Sequence, residues 1–357
     1  MFFKKYKGVY NIHLISKPIK HCFLLLLFIS FLLSGTTFAA ANEGSIINNQ
    51  MTIRESKHGL DTYLKNNYPN IQIGSVDYRD YLVEQLVSEH DAMLTKEPNY
   101  NEYIIYAARF ISHLNNRDDG IVIKTNKGTG VEVNLSETLL DKTISETITD
   151  FEKENALIEK EASLVENTFS KPPIDSAETL TQVAAKEYSP TKAADYGYNH
   201  GTSYNRPSYP DYISGDCTNF VSQCVKSGGK SFDFAPGYKD KPAKYETTKH
   251  WYSYHYTSTS PVHRYKQSTS FMRVVHFYTY WKNHGATIIN CKNKSELQSK
   301  ARKGDIVQLK NGKWYHSIII SRGSKGAWRY AAHDNDHKNA KVSNISNNNT
   351  FRIIRIK

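Results

Sequence analysis

The sequence predicts an α+β fold: a helix bearing a cysteine packs on an antiparallel sheet, behind a mostly helical, acidic N-terminal region. Three observations predict it. Residues 215–229 read GDCTNFVSQCVKSGG, with apolar residues at helical spacing and a double-glycine stop. Apolar runs at 306–309 and 316–321 flank Asn311-Gly312, the strongest short hairpin signal. Residues 60–115 carry two apolar stripes at helical period.

The chain opens with Lys4, Lys5, Lys7, Lys17 and Lys20 before an apolar run at 22–33 and the small residues Ala39-Ala40-Ala41. That is the layout of a secretory signal peptide over residues 1–40, with the mature chain starting near Ala40 to Asn42. The run falls short of the ~20 apolar residues a membrane span needs, so no span is expected after cleavage. The expectation is a secreted, extracellular protein, cell-wall associated in its basic half; retention as an uncleaved anchor is the alternative. Cys22 leaves with the signal, and Cys217, Cys224 and Cys291 remain, an odd number. Cys217 and Cys224 share a helix at roughly 10 Å, too far to bridge.

Residues 41–175 form the expected accessory region. Its stripes carry Tyr81, Leu82, Leu86, Val87 and Met93, then the residues of 103–114. A hairpin is expected at 121–124 and 131–135, and one long acidic helix from Ser136 to about Phe169. Lys171-Pro172-Pro173 breaks it and marks the linker. No chemistry-bearing motif stands out in this region.

Residues 176–357 form the second domain. Ser189 caps a helix with Pro190 in its first turn and Gly201 at its end. Asp216 is read as the side-chain cap of the next helix, placing Cys217 at its first turn. Residues 231–267 look irregular and aromatic. Ser270 is read as the cap of a helix through Phe271, Val274, Val275, Tyr278 and Trp281. Strands are expected at 287–290, in the hairpin, and at 327–333 and 351–356, with a short helix at 295–302.

Charge is distributed unevenly. Residues 1–40 carry five Lys and no acid; 41–200 carry 15 basic and 26 acidic residues, net −11; 201–357 carry 26 and 9, net +17. The two halves attract each other, or the basic half is drawn to a polyanion such as an anionic cell-wall polymer. No nucleic-acid partner is expected, because no binding motif or basic helix accompanies the charge.

A thiol at a helix N-terminus meets the positive end of the macrodipole, which favours the thiolate nucleophile. His316, at the mouth of a strand, is the expected proton acceptor. His333 is the first candidate to orient its ring, with Asn335 and Asp336 as alternatives. A metal site at His333, Asp334, Asp336 and His337 is the weaker reading of a turn rich in Asp and Asn, so neither metal nor cofactor is expected. A different class of function is a catalytically silent wall-binding module using the Tyr/Trp-rich stretch 251–281, although the spacing at 271–281 says core.

At 215–224, Gly-Asp-Cys-Thr-Asn-Phe-Val-Ser-Gln-Cys, with Gly228-Gly229, Gly304-Asp305, His316, His333 and Asp336, resembles the putative amidase domain of secreted bacterial proteins. That family lies within the papain-like hydrolases that include the NlpC-type and CHAP-type cell-wall enzymes. The resemblance covers residues 189–354, under half of the chain. It implies a papain-like cysteine hydrolase domain, a Cys–His–polar site in that chain order, amide hydrolysis, and peptidoglycan as substrate class. It further implies a substrate-binding role for Asp216, with Tyr209 or Tyr212 as the accompanying tyrosine. No glutamine of the papain kind precedes Cys217. An exported effector protease or amidase acting on a protein would use the same site.

Overall fold

The computed structural model describes residues 47–116, 121–126, 130–164, 187–206, 208–212, 215–256 and 265–357. The expected signal segment and the Lys171-Pro172-Pro173 linker lie outside them.

Thr52 and Ser75 each accept an N–H bond from the turn that follows, and so begin α1 (Ile53–Asn67) and α2 (Val76–Ser88). α3 (Tyr100–Asn116) is buried along nearly its whole length. β1 (Ile121–Asn126) and β2 (Gly130–Leu135) pair as the expected antiparallel hairpin. The single helix expected from Ser136 is instead two, α4 (Glu137–Leu140) and α5 (Ile144–Leu164). Thr143 is the cause: it exchanges capping bonds with Glu146 and starts a helix of its own.

In the second half, α6 (Pro190–His200) begins at Ser189, whose hydroxyl accepts from the Lys192 N–H. α7 (Cys217–Ser227) follows. The aromatic stretch expected to be irregular holds a small three-stranded sheet of β3 (Lys244–Tyr245), β4 (Ser253–His255) and β5 (Tyr265–Ser268). The helix expected from Ser270 is broken into α8 (Thr269–Met272) and α9 (Val274–Asn283), because Arg273 is extended at φ −107° and ψ 135°.

The main sheet comprises β6 (Thr287–Cys291), β7 (Ile306–Asn311), β8 (Lys313–Arg322), β9 (Arg329–Ala332), β10 (His337–Lys341) and β11 (Thr350–Arg355), with α10 (Lys294–Lys300) between the first two. Its order is β10-β9-β8-β7-β11-β6 and every neighbouring pair is antiparallel. The mixed α+β fold with antiparallel sheets is thus present.

Both faces of this sheet are covered. Ile306, Ile319, Ala331 and Ile354 fall in a cluster with Phe220, Val221, Phe271 and Phe277 of α7–α9. Their neighbours Val307, Ile318, Ile320 and Ile353 fall in a second cluster with Leu64, Leu82, Ile105 and Phe110 of α1–α3. This is the two-residue period of a strand read out on two layers of helix. Fully burying one such side chain contributes about 1.5–3 kcal/mol, so α1–α3 are structural partners of the sheet. The opposite charges of the two halves also meet, Glu154 with Lys313 and Glu159 with Arg352, while one pair runs the other way, Arg79 with Asp334.

Candidate active site

Gly215 enters α7 at φ +78°, and a Cβ there would meet the Leu114 carbonyl oxygen at 2.9 Å. A glycine is required because the end of α3 approaches this close. Asp216, next in sequence, does not cap α7 through its side chain as expected. Its backbone (φ −102°, ψ −9°) lacks the extended cap conformation, and its carboxylate is drawn elsewhere. Asp216 Oδ1 accepts from Asn219 Nδ2 at 2.8 Å, and Oδ2 lies 2.6 Å from His333 Nδ1.

The cap comes from a distant residue. The Asp334 carboxylate accepts from the Asp216 N–H at 2.8 and 2.9 Å and from the Cys217 N–H at 3.0 Å. Asp334 follows β9 in the left-handed region (φ 62°), which reverses the chain and turns the carboxylate back toward α7.

His316 lies on β8 just after a slip in the β7–β8 register, where Leu309 pairs with His316 but Lys310 pairs with Trp314. Tyr315 is the extra residue of this bulge. The C-terminal end of α3 takes up the carbonyls there: Asn115 Nδ2 donates to Tyr315 O at 2.7 Å and Asn116 Nδ2 to Trp314 O at 3.2 Å. Cys217 Sγ, a ring nitrogen of His316 and a carboxylate oxygen of Asp334 come within 4.8 Å of one another. The helix start, the strand mouth and the turn after β9 thus bring three chemistry-bearing side chains to one point.

His333 is turned away from that point. Its Nδ1 meets Asp216 and its Nε2 meets the His200 carbonyl at 2.8 Å, so both nitrogens are occupied. Asn335 donates to Glu84, and Asp336 accepts from Tyr204 Oη at 2.9 Å. The expectation that one of these three orients His316 is therefore corrected: the carboxylate beside the ring belongs to Asp334. The same dispersal separates the members of the weaker metal reading, since His337 faces Glu84. Tyr209 stacks on Phe271, and Tyr212 Oη donates to Gln267 Oε1 at 2.5 Å, so both brace the scaffold around α7.

Cys217, His316 and Asp334 are each 1 % exposed, and this sets their electrostatics. Burial pushes the Cys217 thiol well above its ordinary range, and the Asp334 charge pushes it further. Both influences oppose the dipole-favoured thiolate expected here, because a carboxylate already occupies the helix start. Burial also lowers His316 to about 4. Its Nδ1 is buried without a hydrogen-bond partner among the described residues. Burial thus favours the neutral form of both thiol and imidazole.

Asp334 is kept ionised. Burial opposes its charge, but Arg79, whose Nη1 lies 3.5 Å from Oδ1, and the two backbone donors together hold it below the usual carboxylate range. Cys, His and Asp are also metal-ligand types, yet the Arg79 cation beside Asp334 disfavours a second cation there. Arg79, Asn115 and Asn116 all come from the region without an evident motif. One signal was available: Arg79 sits at helical spacing with Leu82, Val83 and Leu86, a charge within an apolar stripe.

A cysteine at a helix start, a histidine on an adjacent strand and a carboxylate form the side-chain set that thiol hydrolases use. Residues 187–355 match the family described as a "Putative amidase domain". That segment carries Cys217, His316 and Asp334; Arg79 and α1–α5 lie outside it. No curated protein and no solved structure shows significant similarity to the chain.

Proposed function

We propose that this protein is a cysteine hydrolase that cleaves amide bonds through a thioester, with Cys217 as nucleophile, His316 as general base and acid, and Asp334 as the group that orients and stabilises the imidazole. The convergence of the three side chains within 4.8 Å carries the reading. The Cys217 thiol gives its proton to His316 as sulfur attacks the substrate carbonyl. His316 then returns the proton to the leaving amine and activates the water that opens the thioester. The N–H groups of Asp216 and Cys217 are engaged by Asp334, so the oxyanion draws on other donors.

The amidase-domain match supports amide hydrolysis, and we propose a papain-like relationship on the chain order cysteine, histidine, polar residue. With its signal-like start and basic second half, the protein is proposed to be secreted and to act on peptidoglycan, in the company of anionic wall polymers. Asp216, Tyr209 and Tyr212 are proposed to act on substrate through the walls of the site. Purified peptidoglycan digested with the mature protein should yield new termini identifiable by mass spectrometry. Cys217→Ala and His316→Ala should each abolish them with the fold intact. A Cys217→Ala protein that still cleaves at the wild-type rate would end the proposal.

A further inference from the structure

The three site residues are each 1 % exposed, and a small apolar cluster lies around the sulfur. Cys217 clusters with Val274 and Trp314, and Ile158 of α5 packs against that cluster. The first half of α5 is well anchored through Ile144 and Phe151, which are buried. Beyond Phe151, Ile158 and Ala162 are the only described residues of the helix that turn apolar groups inward, and Leu157 is 62 % exposed. Glu154, paired with Arg109, and Asn155, which donates to the Gly312 carbonyl, fasten the middle of the helix, and past them few buried apolar contacts remain, the mark of a segment that opens before its surroundings.

The residue beside Ile158 is Glu159, and its carboxylate sits in a receptor of unlike composition. Tyr278 Oη donates to Glu159 Oε2 at 2.6 Å, Arg352 Nη1 lies 3.4 Å from Oε1, and Lys282 Nζ lies 3.9 Å from Oε2. Arg352 is fully buried, with its guanidinium 3.5 Å from the Tyr278 ring centroid and 4.0 Å from that of Trp314. Its Nε donates to Gln308 at 2.7 Å, while Nη2 is buried with no hydrogen-bond partner among the described residues. Holding a guanidinium in a dry aromatic sandwich is costly unless it serves an anion. Gln308 reaches Ser317, and Ser317 reaches Thr218, the residue after the nucleophile. The receptor is thus joined by hydrogen bonds to the helix start.

We propose that the second half of α5 is a removable cover on the Cys217 site, and that Glu159 occupies a carboxylate subsite of Arg352, Tyr278 and Lys282 that an amide substrate fills with its own carboxylate. The inference rests on the hydrolase reading for the word substrate, but not for the cover. Burial is the largest influence on both Cys217 and His316, so admitting water moves the pair toward thiolate and imidazolium.

The test is alkylation of the full-length chain by iodoacetamide, read cysteine by cysteine by mass spectrometry. In an Ile158→Ala/Glu159→Gln variant, Cys217 should react about tenfold faster or more, the scale of losing one charge-assisted hydrogen bond. Cys224 and Cys291 should keep their wild-type rates. N-acetylglycine should slow the Cys217 reaction in this variant, N-acetylglycinamide should not, and adding Tyr278→Phe should weaken the protection. An unchanged Cys217 rate, a common rise at all three cysteines, or equal protection by the amide would overturn the proposal. None of these readouts needs turnover, so they stand apart from the Cys217→Ala assay of hydrolysis.

Discussion

The Arg79 guanidinium, on a helix of the acidic half, lies 3.5 Å from the Asp334 carboxylate, which caps the helix of the candidate nucleophile. Their side chains are 8 % and 1 % exposed, so neither charge is screened by solvent to a useful degree. Arg79 is thereby a positioning residue for Asp334 although it lies outside the amidase-domain match.

Arg79→Met should leave Asp334 a buried and uncompensated charge, at a cost of about 3–5 kcal/mol in stability. Because Arg79 is what chiefly lowers the Asp334 pKa against burial, the acid limb of the pH–rate profile should move to higher pH. Arg79→Lys should restore part of both. A profile unmoved by Arg79→Met would show that Asp334 does not depend on it.

Asp334 and His333 are neighbours in sequence with separable effects. Asp334→Asn should lower kcat on the order of 10³–10⁴-fold, as expected when the group orienting a catalytic imidazole is made neutral. His333→Asn removes a bond to Asp216 and should act on the melting temperature, with kcat/KM staying within about tenfold. Burial opposes charge on His333, but the Asp216 carboxylate outweighs it and raises the imidazole pKa. Comparing kcat with thermal unfolding for the two variants checks this.

Acid should destabilise the protein in two stages. Burial holds His113 at about 2, and His276 and His316 at about 4, each below the ordinary value near 6.5. Below pH ~6.5 the unfolded chain therefore binds more protons than the folded one, and stability falls as pH drops toward 4. For His316 alone the loss approaches 3 kcal/mol, an order-of-magnitude figure. Glu84 and Asp91, held at about 2, act with the same sign between pH ~4.5 and 2. Thermal melts from pH 8 to 3 should show a steady decline below about 6.5, and above it His333, raised by Asp216, should give up its own contribution as pH climbs. His316→Gln should make the first stage shallower.

Gly215→Ala should cost about 1–3 kcal/mol, because the residue holds φ +78° and a Cβ would press on the Leu114 carbonyl. The strain falls two residues before Cys217, so hydrolysis should drop more than the melting temperature predicts. Equal activity in Gly215→Ala would mean that α3 yields at this contact.

Local signals revealed the second half of the fold well. The cysteine helix, the Asn311-Gly312 hairpin and the Ser189 cap all lie where spacing and turn chemistry put them. Asp334 was missed because strand alternation points to the last strand residue, whereas a left-handed turn carries the useful carboxylate one residue further. Arg79, Asn115 and Asn116 were missed for a different reason: each acts across more than 150 residues of chain, and no local period encodes that contact. The helix break at Thr143 was legible as a Thr-x-x-Glu start.

The register slip at Tyr315 has a consequence for how this site tolerates change. A strand presents its side chains in alternating phase, and the extra residue resets that phase immediately before His316. Deleting one residue between Asn311 and Tyr315 would let the ladder run true and invert the face on which position 316 stands, undoing the approach of imidazole to sulfur. Composition and apolar count would hardly alter, yet the two halves of the reaction would no longer meet.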